Sequence, residues 1–224
     1  MKLSIIVPVL DEARQMPALL ESLAPFRSRN VQVVLVDGGS ADGSAELAER
    51  AGFHVVRSAK GRALQMNAGA AAASGDVFLF LHADTRLPAC ADALVLKAIM
   101  ASTRAWGRFD VQIDGRPAML ALVGFMMNWR SRLTGVATGD QAMFVRRDTF
   151  REVGGFPLQP LMEDIELSRR LKRISTPLCL RACVKTSGLR WETRGVWPTI
   201  LLMCTLRLRY WLGAPAERLA KAYR

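Results

Sequence analysis

The sequence contains no apolar run of the ~20 residues that span a bilayer. It also has no CxxC pair among its four cysteines, no internal repeat and no low-complexity tract. These absences remove an integral membrane protein, a cysteine-built metal knuckle and a solenoid from consideration. Stretches 117–129 and 195–206 are apolar but too short to span. They read as core helices, or, for the second, which leads into Arg207, Arg209, Tyr210 and Trp211, as a segment lying along a bilayer surface. Cys90, Cys179, Cys183 and Cys204, of which Cys179 and Cys183 flank a strand-like run, read as buried free thiols, which points to a reducing compartment. The apolar run 3–10, between Lys2 and Asp11-Glu12, is short for the core of a signal peptide, so the first residues are expected to belong to the fold and the protein to be cytoplasmic.

Half of the 224 residues are hydrophobic, a composition that supports one folded domain over 1–224 rather than disorder. Its 31 basic and 20 acidic residues leave a net charge of +11, which attracts phosphates, anionic lipid or nucleic acid. The basic residues crowd the second half, where aromatics such as Tyr210, Trp211 and Tyr223 alternate with them. That pattern fits peripheral attachment to the inner face of an anionic membrane at least as well as nucleic acid.

Short β-branched runs at 3–9, 31–36 and 77–81 alternate with helical patterns at 16–23, 44–51 and 63–73, and a small strand is expected at 55–56. This is the signature of an α/β fold with a mostly parallel central sheet flanked by helices. Beyond it the pattern predicts a helix over 88–100, strands over 109–113 and 142–145, and helices over 119–133, before Gly154-Gly155, over 164–172 and over 197–212. A tail broken by Gly213 and Pro215 follows. The chain thus divides into a Rossmann-like half, about 1–102, and a half with a C-terminal helix, about 103–224.

In such sheets ligands bind beyond the carboxyl ends of the strands. Asp11 and Glu12 follow the first strand, a segment from Asp37 to Ser44 follows the second, and His82, Ala83 and Asp84 follow the strand ending at Leu81. The glycines at 38, 39 and 43 match neither GxGxxG nor a P-loop, so a tight turn capped by Ser40 or Asp42 competes with a phosphate cradle. Asp37 at a strand end can accept the imide or ribose protons of a nucleotide. Asp84 is either a helix cap or a carboxylate that holds Mg2+ or Mn2+ against diphosphate oxygens. His82 shares its face and is either a donor contact or a structural histidine. Glu163-Asp164 open a helix whose far end is basic, which the helix dipole alone explains.

Taken in order, Ser4 to Pro8 with Asp11-Glu12, Asp37-Gly38-Gly39-Ser40 with Asp42-Gly43-Ser44, Asn67 and Gly69, His82-Ala83-Asp84, Gly154-Gly155-Phe156 and Glu163-Asp164 resemble the family 2 glycosyltransferases of the GT-A fold. The resemblance implies a nucleotide-binding half followed by an acceptor half. It puts Pro8, Glu12, Asp37 and Gly39 against a UDP- or GDP-sugar, Asp84 on a divalent metal (Mn2+ or Mg2+), and Asp164 as the base that deprotonates an acceptor hydroxyl, with inversion at the anomeric carbon. Arg62, one turn before Asn67, stands in for an arginine the family often carries where this chain has Met66. The family's QxxRW becomes Ser187 to Trp191 without the glutamine, which disfavours a processive polymer synthase and leaves Arg190 and Trp191 to grip diphosphate or sugar, or to sit as a core tryptophan with Arg190 paired to Glu192. Asp140 and Gln141 are either a turn or acceptor contacts, and Asn67 and Glu163 join the substrate-binding set. The phrases around Gly107 to Asp110, Gly139 to Phe144 and Arg190 to Glu192 resemble a compact subset, some of whose members are associated with arsenosugar biosynthesis.

Two other readings compete. A nucleotidyltransferase needs a glycine-rich, lysine-containing first loop, which is absent after Val9. A non-catalytic basic module for nucleic acid or anionic lipid has no use for Asp37, Asp84 and Asp164 at element ends, so nucleic acid is the disfavoured partner.

Overall fold

A computed structural model describes residues 1–223. The first half runs β1 (Leu3–Val9), α1 (Met16–Ser28), β2 (Gln32–Asp37), α2 (Ser44–Arg50), β3 (His54–Arg57), α3 (Arg62–Ala72), β4 (Val77–Phe80), β5 (Thr85–Arg86) and α4 (Ala91–Met100). The second half continues with β6 (Trp106–Asp114), α5 (Met119–Thr134), β7 (Phe144–Arg146), α6 (Arg147–Glu152), α7 (Glu163–Leu171), β8 (Leu178–Ser187), α8 (Leu189–Arg194), α9 (Val196–Trp211) and α10 (Ala216–Tyr223). Among the described residues the strands form one eight-stranded sheet in the order β3-β2-β1-β4-β7-β6-β8-β5.

β1 pairs in parallel with β2 and β4, β2 with β3, and β6 with β8, while β7 runs antiparallel to both β4 and β6 and β5 runs antiparallel to β8. The β1–β2–β4 centre is buried on both faces because alternate residues feed two cores. Leu3, Ile5, Val7 and Leu79 pack with Leu19 and Leu23 of α1 and with Val95 and Ile99 of α4. Ile6, Val34, Val36, Phe78 and Phe80 meet Met66 and Ala70 of α3 and Leu167 and Leu171 of α7. Helix α3 lies so close to the sheet that a Cβ at Gly69 would come within 2.4 Å of Ile6 Cγ2 and 2.7 Å of Val36 Cγ2. Only glycine permits that approach.

The expected α/β architecture is present, with four corrections. The cysteines are not buried: Cys90, Cys183 and Cys204 are exposed and Cys179 is partly so, because the first caps α4 and the others ride on outward faces of β8 and α9. β8 is a ten-residue strand where the sequence suggested only a strand-like run between Cys179 and Cys183. Its alternation is broken by a register shift against β6 at Phe109/Asp110. The tail after Gly213 and Pro215 forms α10, whose Leu219 packs into a small core with Leu206. Finally, α4 begins at Ala91, later than Pro88.

Candidate active site

The donor-side loops are laced together by their own polar groups. Asp37, 3% exposed, accepts hydrogen bonds from Gly39 N and Ser40 N at 3.1 Å each. Asp11 Oδ1 accepts from Ala41 N, Ser40 Oγ accepts from Asp11 N, and Ser44 Oγ accepts from Glu12 N. Asp42 accepts from Ser44 and from Ala13 N, contacts that hold its carboxyl below the ordinary value. Gln65, absent from the sequence-based site, donates to Val9 O at 2.7 Å and Val36 O at 2.9 Å. It thereby ties the ends of β1 and β2 together. A Cβ at Gly38 would lie 2.9 Å from that amide, so a side chain there would have to displace Gln65. Gly39 is exposed with φ +87°, and a Cβ built there would meet nothing within 4 Å. Pro8, half-buried, stands opposite Val36 in the sheet.

Asp84 is half-buried beyond β4, where its Oδ1 accepts from Thr85 Oγ1 at 3.1 Å and its carbonyl accepts from Ser187 N. Burial, then Asp84, Asp42 and Asp11 in turn, push the Glu12 carboxyl above its ordinary value. Acidic groups from three strand ends, those of β1, β2 and β4, therefore act on one another, the setting in which a divalent cation relieves repulsion. Among the described residues no three ligating side chains form a cage. A carboxylate at Asp84 completed by diphosphate oxygens and water suits Mg2+ or Mn2+, which keep most of their coordination outside the protein in such sites.

On the other side, Glu163 opens α7 and is 2% exposed. Arg62 Nη1 lies 3.4 Å from its Oε1. Burial and the adjacent Asp164 raise the Glu163 carboxyl, against the pull of Arg62. For Arg62, burial opposes the charge, but Glu163, Asp164 and Asp140 outweigh it and hold the guanidinium above its ordinary value. Asp164, half-buried, accepts from Gly139 N at 2.8 Å and from Ile165 N at 2.7 Å. Gly139 begins a 3-10 turn, Gly139–Gln141, and its missing side chain admits the His82 ring, which a Cβ would approach to 2.2 Å. His82 Nδ1 lies 3.3 Å from Asp140 Oδ1. Burial works to raise the Asp140 carboxyl, yet the His82 hydrogen bond and the charges of His82, Arg62 and Arg207 leave it lowered. His82, Gly139, Glu163 and Asp164 line one narrow cavity with Met66, Phe80, Met143 and Phe156.

Arg190 links the two sides. Its charge is depressed first by burial, then favoured by Asp140, disfavoured by Arg194 and Arg62, and favoured again by Asp84. Its guanidinium stacks 4.5 Å from the Tyr223 ring centroid. Glu192 does not pair with it but accepts from Arg116 N, and Trp191 on α8 is half-buried rather than core.

Two expected contacts are turned inward. Asn67 donates to Phe156 O at 2.8 Å and accepts from Phe156 N at 2.9 Å, so both ends of its amide clamp the Gly154-Gly155-Phe156 loop. Gln141, fully buried, caps its turn by accepting from Thr138 N and donates to Asn128 Oδ1. Asn128 in turn bonds both Val111 N and Val111 O on β6. These two residues shape the site without facing it. Neither Gln65 nor Arg130 of α5, which lies within the field of Asp164, carried a motif that could flag it.

Known proteins point the same way. A stretch of 47 residues, 20% of this chain, is 47% identical to the succinoglycan biosynthesis protein ExoA of Rhizobium meliloti (strain 1021), where it is 14% of that protein. TarS 1-349 of S. aureus superposes with a TM-score of 0.67 at 19% identity, covering 84% of this chain and 61% of that one. Glucosyl-3-phosphoglycerate synthase from Mycobacterium tuberculosis gives 0.62 at 16% identity over 83% and 70% of the two chains. The mannosyltransferase PcManGT from Pyrobaculum calidifontis gives 0.61 at 19% over 82% and 56%. At these identities the superpositions speak for a shared GT-A fold alone, and the chain spans less than two thirds of the TarS chain. Residues 4–154, which contain Pro8, Asp37, Asp84 and the Gly139–Gln141 turn, match the family model Glycosyl transferase family 2, and the chain belongs to that family.

Proposed function

We propose that this protein transfers a sugar from a UDP- or GDP-sugar to an acceptor hydroxyl, with inversion, and that residues 1–224 act as one GT-A unit. The reading assigns the donor to the ends of β1 and β2, with Pro8, Glu12, Asp37 and Gly39 around the nucleoside, and the metal to Asp84. The supporting relatives are TarS, crystallised with UDP-GlcNAc, and PcManGT, crystallised with GDP-Man and Mn2+. The observation that carries it is the field at Arg190, which feels Asp84 and Asp140 at once, while Arg62 feels Asp140, Glu163 and Asp164. That coupling supports a reading in which donor-side and acceptor-side carboxylates face one cleft.

A bound divalent ion supplies positive charge to the leaving diphosphate. Asp164, fixed by Gly139 N and Ile165 N, takes the proton of the acceptor hydroxyl as that oxygen bonds the anomeric carbon and the diphosphate departs with its electron pair. One base on the side opposite the leaving group gives inversion. Arg62 and Arg190 offer guanidinium groups to diphosphate or sugar oxygens. His82 and Asp140 hold the turn that carries Gly139, and nothing in the cleft selects an arsenosugar over other acceptors.

No helix among the described residues is long and apolar enough to cross a membrane. Leu122, Phe125, Met126, Trp129 and Leu133 of α5 and Trp197, Leu201, Leu208 and Trp211 of α9 are nonetheless exposed. Beside a net charge of +11 these faces favour peripheral attachment to anionic lipid, from the cytoplasmic side.

The test is calorimetric titration of UDP- and GDP-sugars with and without Mn2+, followed by donor turnover. Asp84→Ala is expected to abolish metal-dependent donor binding, and Asp164→Asn to keep it while transfer stops. Full activity in both variants, or turnover of nucleoside triphosphate with sugar phosphate instead, sinks the assignment.

A further inference from the structure

Among the described residues one largely buried guanidinium on the acceptor side has no hydrogen-bond partner. Arg130 projects from α5 with Nε and Nη2 out of contact with solvent and without a hydrogen bond. Burial first, then the charges of Arg207 and Arg108, depress its pKa to about 10, with Asp164 opposing. Buried polar groups in folded proteins nearly always find partners, so a guanidinium fork left open is an exception with a cause.

The carboxylate held by the neighbouring Arg108 cannot supply one. Asp110 is already engaged by Arg108 and by both Nη atoms of Arg132, and Arg108 also donates to Asn128 O at 3.1 Å. Arg207, on α9, makes no hydrogen bond or ion pair among the described residues, and its field reaches both Arg130 and Asp140. Two cationic side chains from two helices, neither hydrogen-bonded among the described residues, thus lie within reach of each other's charge, Arg130 in the field of Asp164 and Arg207 in that of Asp140.

We propose that Arg130 and Arg207 form an anion subsite that grips a phosphate group on the acceptor and so sets the acceptor hydroxyl against Asp164. This rests on the glycosyltransferase reading for the role of Asp164. The phosphate anchors and does not react. The bond formed is between the hydroxyl oxygen and the anomeric carbon, and the proton goes to Asp164. A guanidinium pair suits a phosphate because its planar N–H fork matches two oxygens at once. The phosphate belongs either to a water-soluble phosphorylated acceptor or to a lipid headgroup, the second favoured by the exposed apolar stripes of α5 and α9 on the two helices that carry the pair.

The probe is inorganic phosphate, titrated into protein saturated with UDP and Mg2+ so that the diphosphate position is filled. Wild type is expected to bind phosphate saturably, and Arg130→Met and Arg207→Met to bind it at least tenfold more weakly, with Arg130→Lys in between. Without phosphate, Arg130→Met is expected to melt higher than wild type, which a merely structural arginine does not allow. Equal phosphate affinity in wild type and both Met variants, or none in wild type, overturns the subsite. If UDP and Mg2+ fail to bind wild type, the donor reading fails separately, and phosphate titration of the unliganded protein still decides this one. Phosphatidic acid in phosphatidylcholine vesicles separates the sources while the subsite stands: competition with phosphate assigns the lipid headgroup, and no effect assigns the soluble acceptor.

Discussion

On the donor side Asp11, Asp37 and Asp42 are met by backbone N–H groups and hydroxyls of the donor-side loops, whereas on the acceptor side Arg130 and Arg207 meet no acceptor among the described residues. The contrast shows two ways of preparing a binding site. Satisfied loops hold their shape before any ligand arrives, so little ordering is lost on binding. An unanswered guanidinium costs stability in the empty protein and returns it when an anion arrives, the trade expected where a residue is kept for function.

Asp164→Asn attacks the acceptor side alone and carries the largest expected effect. Transfer should fall by roughly 10²–10⁴-fold while donor binding persists, read by single-turnover kinetics beside calorimetry. Gly69→Ala attacks the donor side through packing. Its Cβ would strike Ile6 and Val36, so unfolding by denaturant should show a loss of about 1–3 kcal/mol. Gln141→Ala strips partners from Thr138 N and Asn128 and should cost about 1–3 kcal/mol in the same measurement, with activity lost through the turn rather than through a missing contact. Arg130→Met should move stability the other way. Removing an unsatisfied buried donor is expected to gain about 1–3 kcal/mol, and at roughly 2–4 °C per kcal/mol the melting temperature should rise visibly.

The smallest effect is a slope with pH. Burial first and Asp164 next raise the Glu163 carboxyl in the folded protein, so the native state holds that proton more tightly than the unfolded chain. Wild type therefore loses this contribution as pH rises from the unfolded value of about 4.3 through the higher folded one. Glu163→Gln lacks the slope, and its stability relative to wild type should climb across that window in urea titrations at stepped pH. A flat difference would mean that Arg62 cancels the raised pKa entirely.

Much of the donor half was legible because strands buried on both faces read as unbroken apolar runs, so β1, β2 and β4 fall within a residue of where the sequence put them. The acceptor half was less so. In β8, Arg181 and Lys185 face outward and a register shift interrupts the period, so ten residues of strand left only a short trace. Asn67 reads as a substrate contact, and Gln141 as either a turn or an acceptor contact, because polar side chains in motifs look alike in one dimension. Whether an amide faces a ligand or a neighbouring backbone depends on residues 89 positions away for Asn67 and 13 away for Gln141. Arg130 was invisible for a similar reason, sitting in an apolar helix with nothing nearby in sequence to mark it as unpaired.

By itself the chain dictated the alternation of buried strands and covering helices, since hydrophobic period and glycine placement act locally. It also set the carboxylates at the strand ends, because a polar group must appear where a buried strand leaves the core. Only folding decided which polar groups find hydrogen-bond partners: Asp37 in its own turn, Glu163 in Arg62, and Arg130 Nε and Nη2 in none of the described residues. Pairing is a matter of a few ångströms between distant segments, and no spacing along a sequence fixes it.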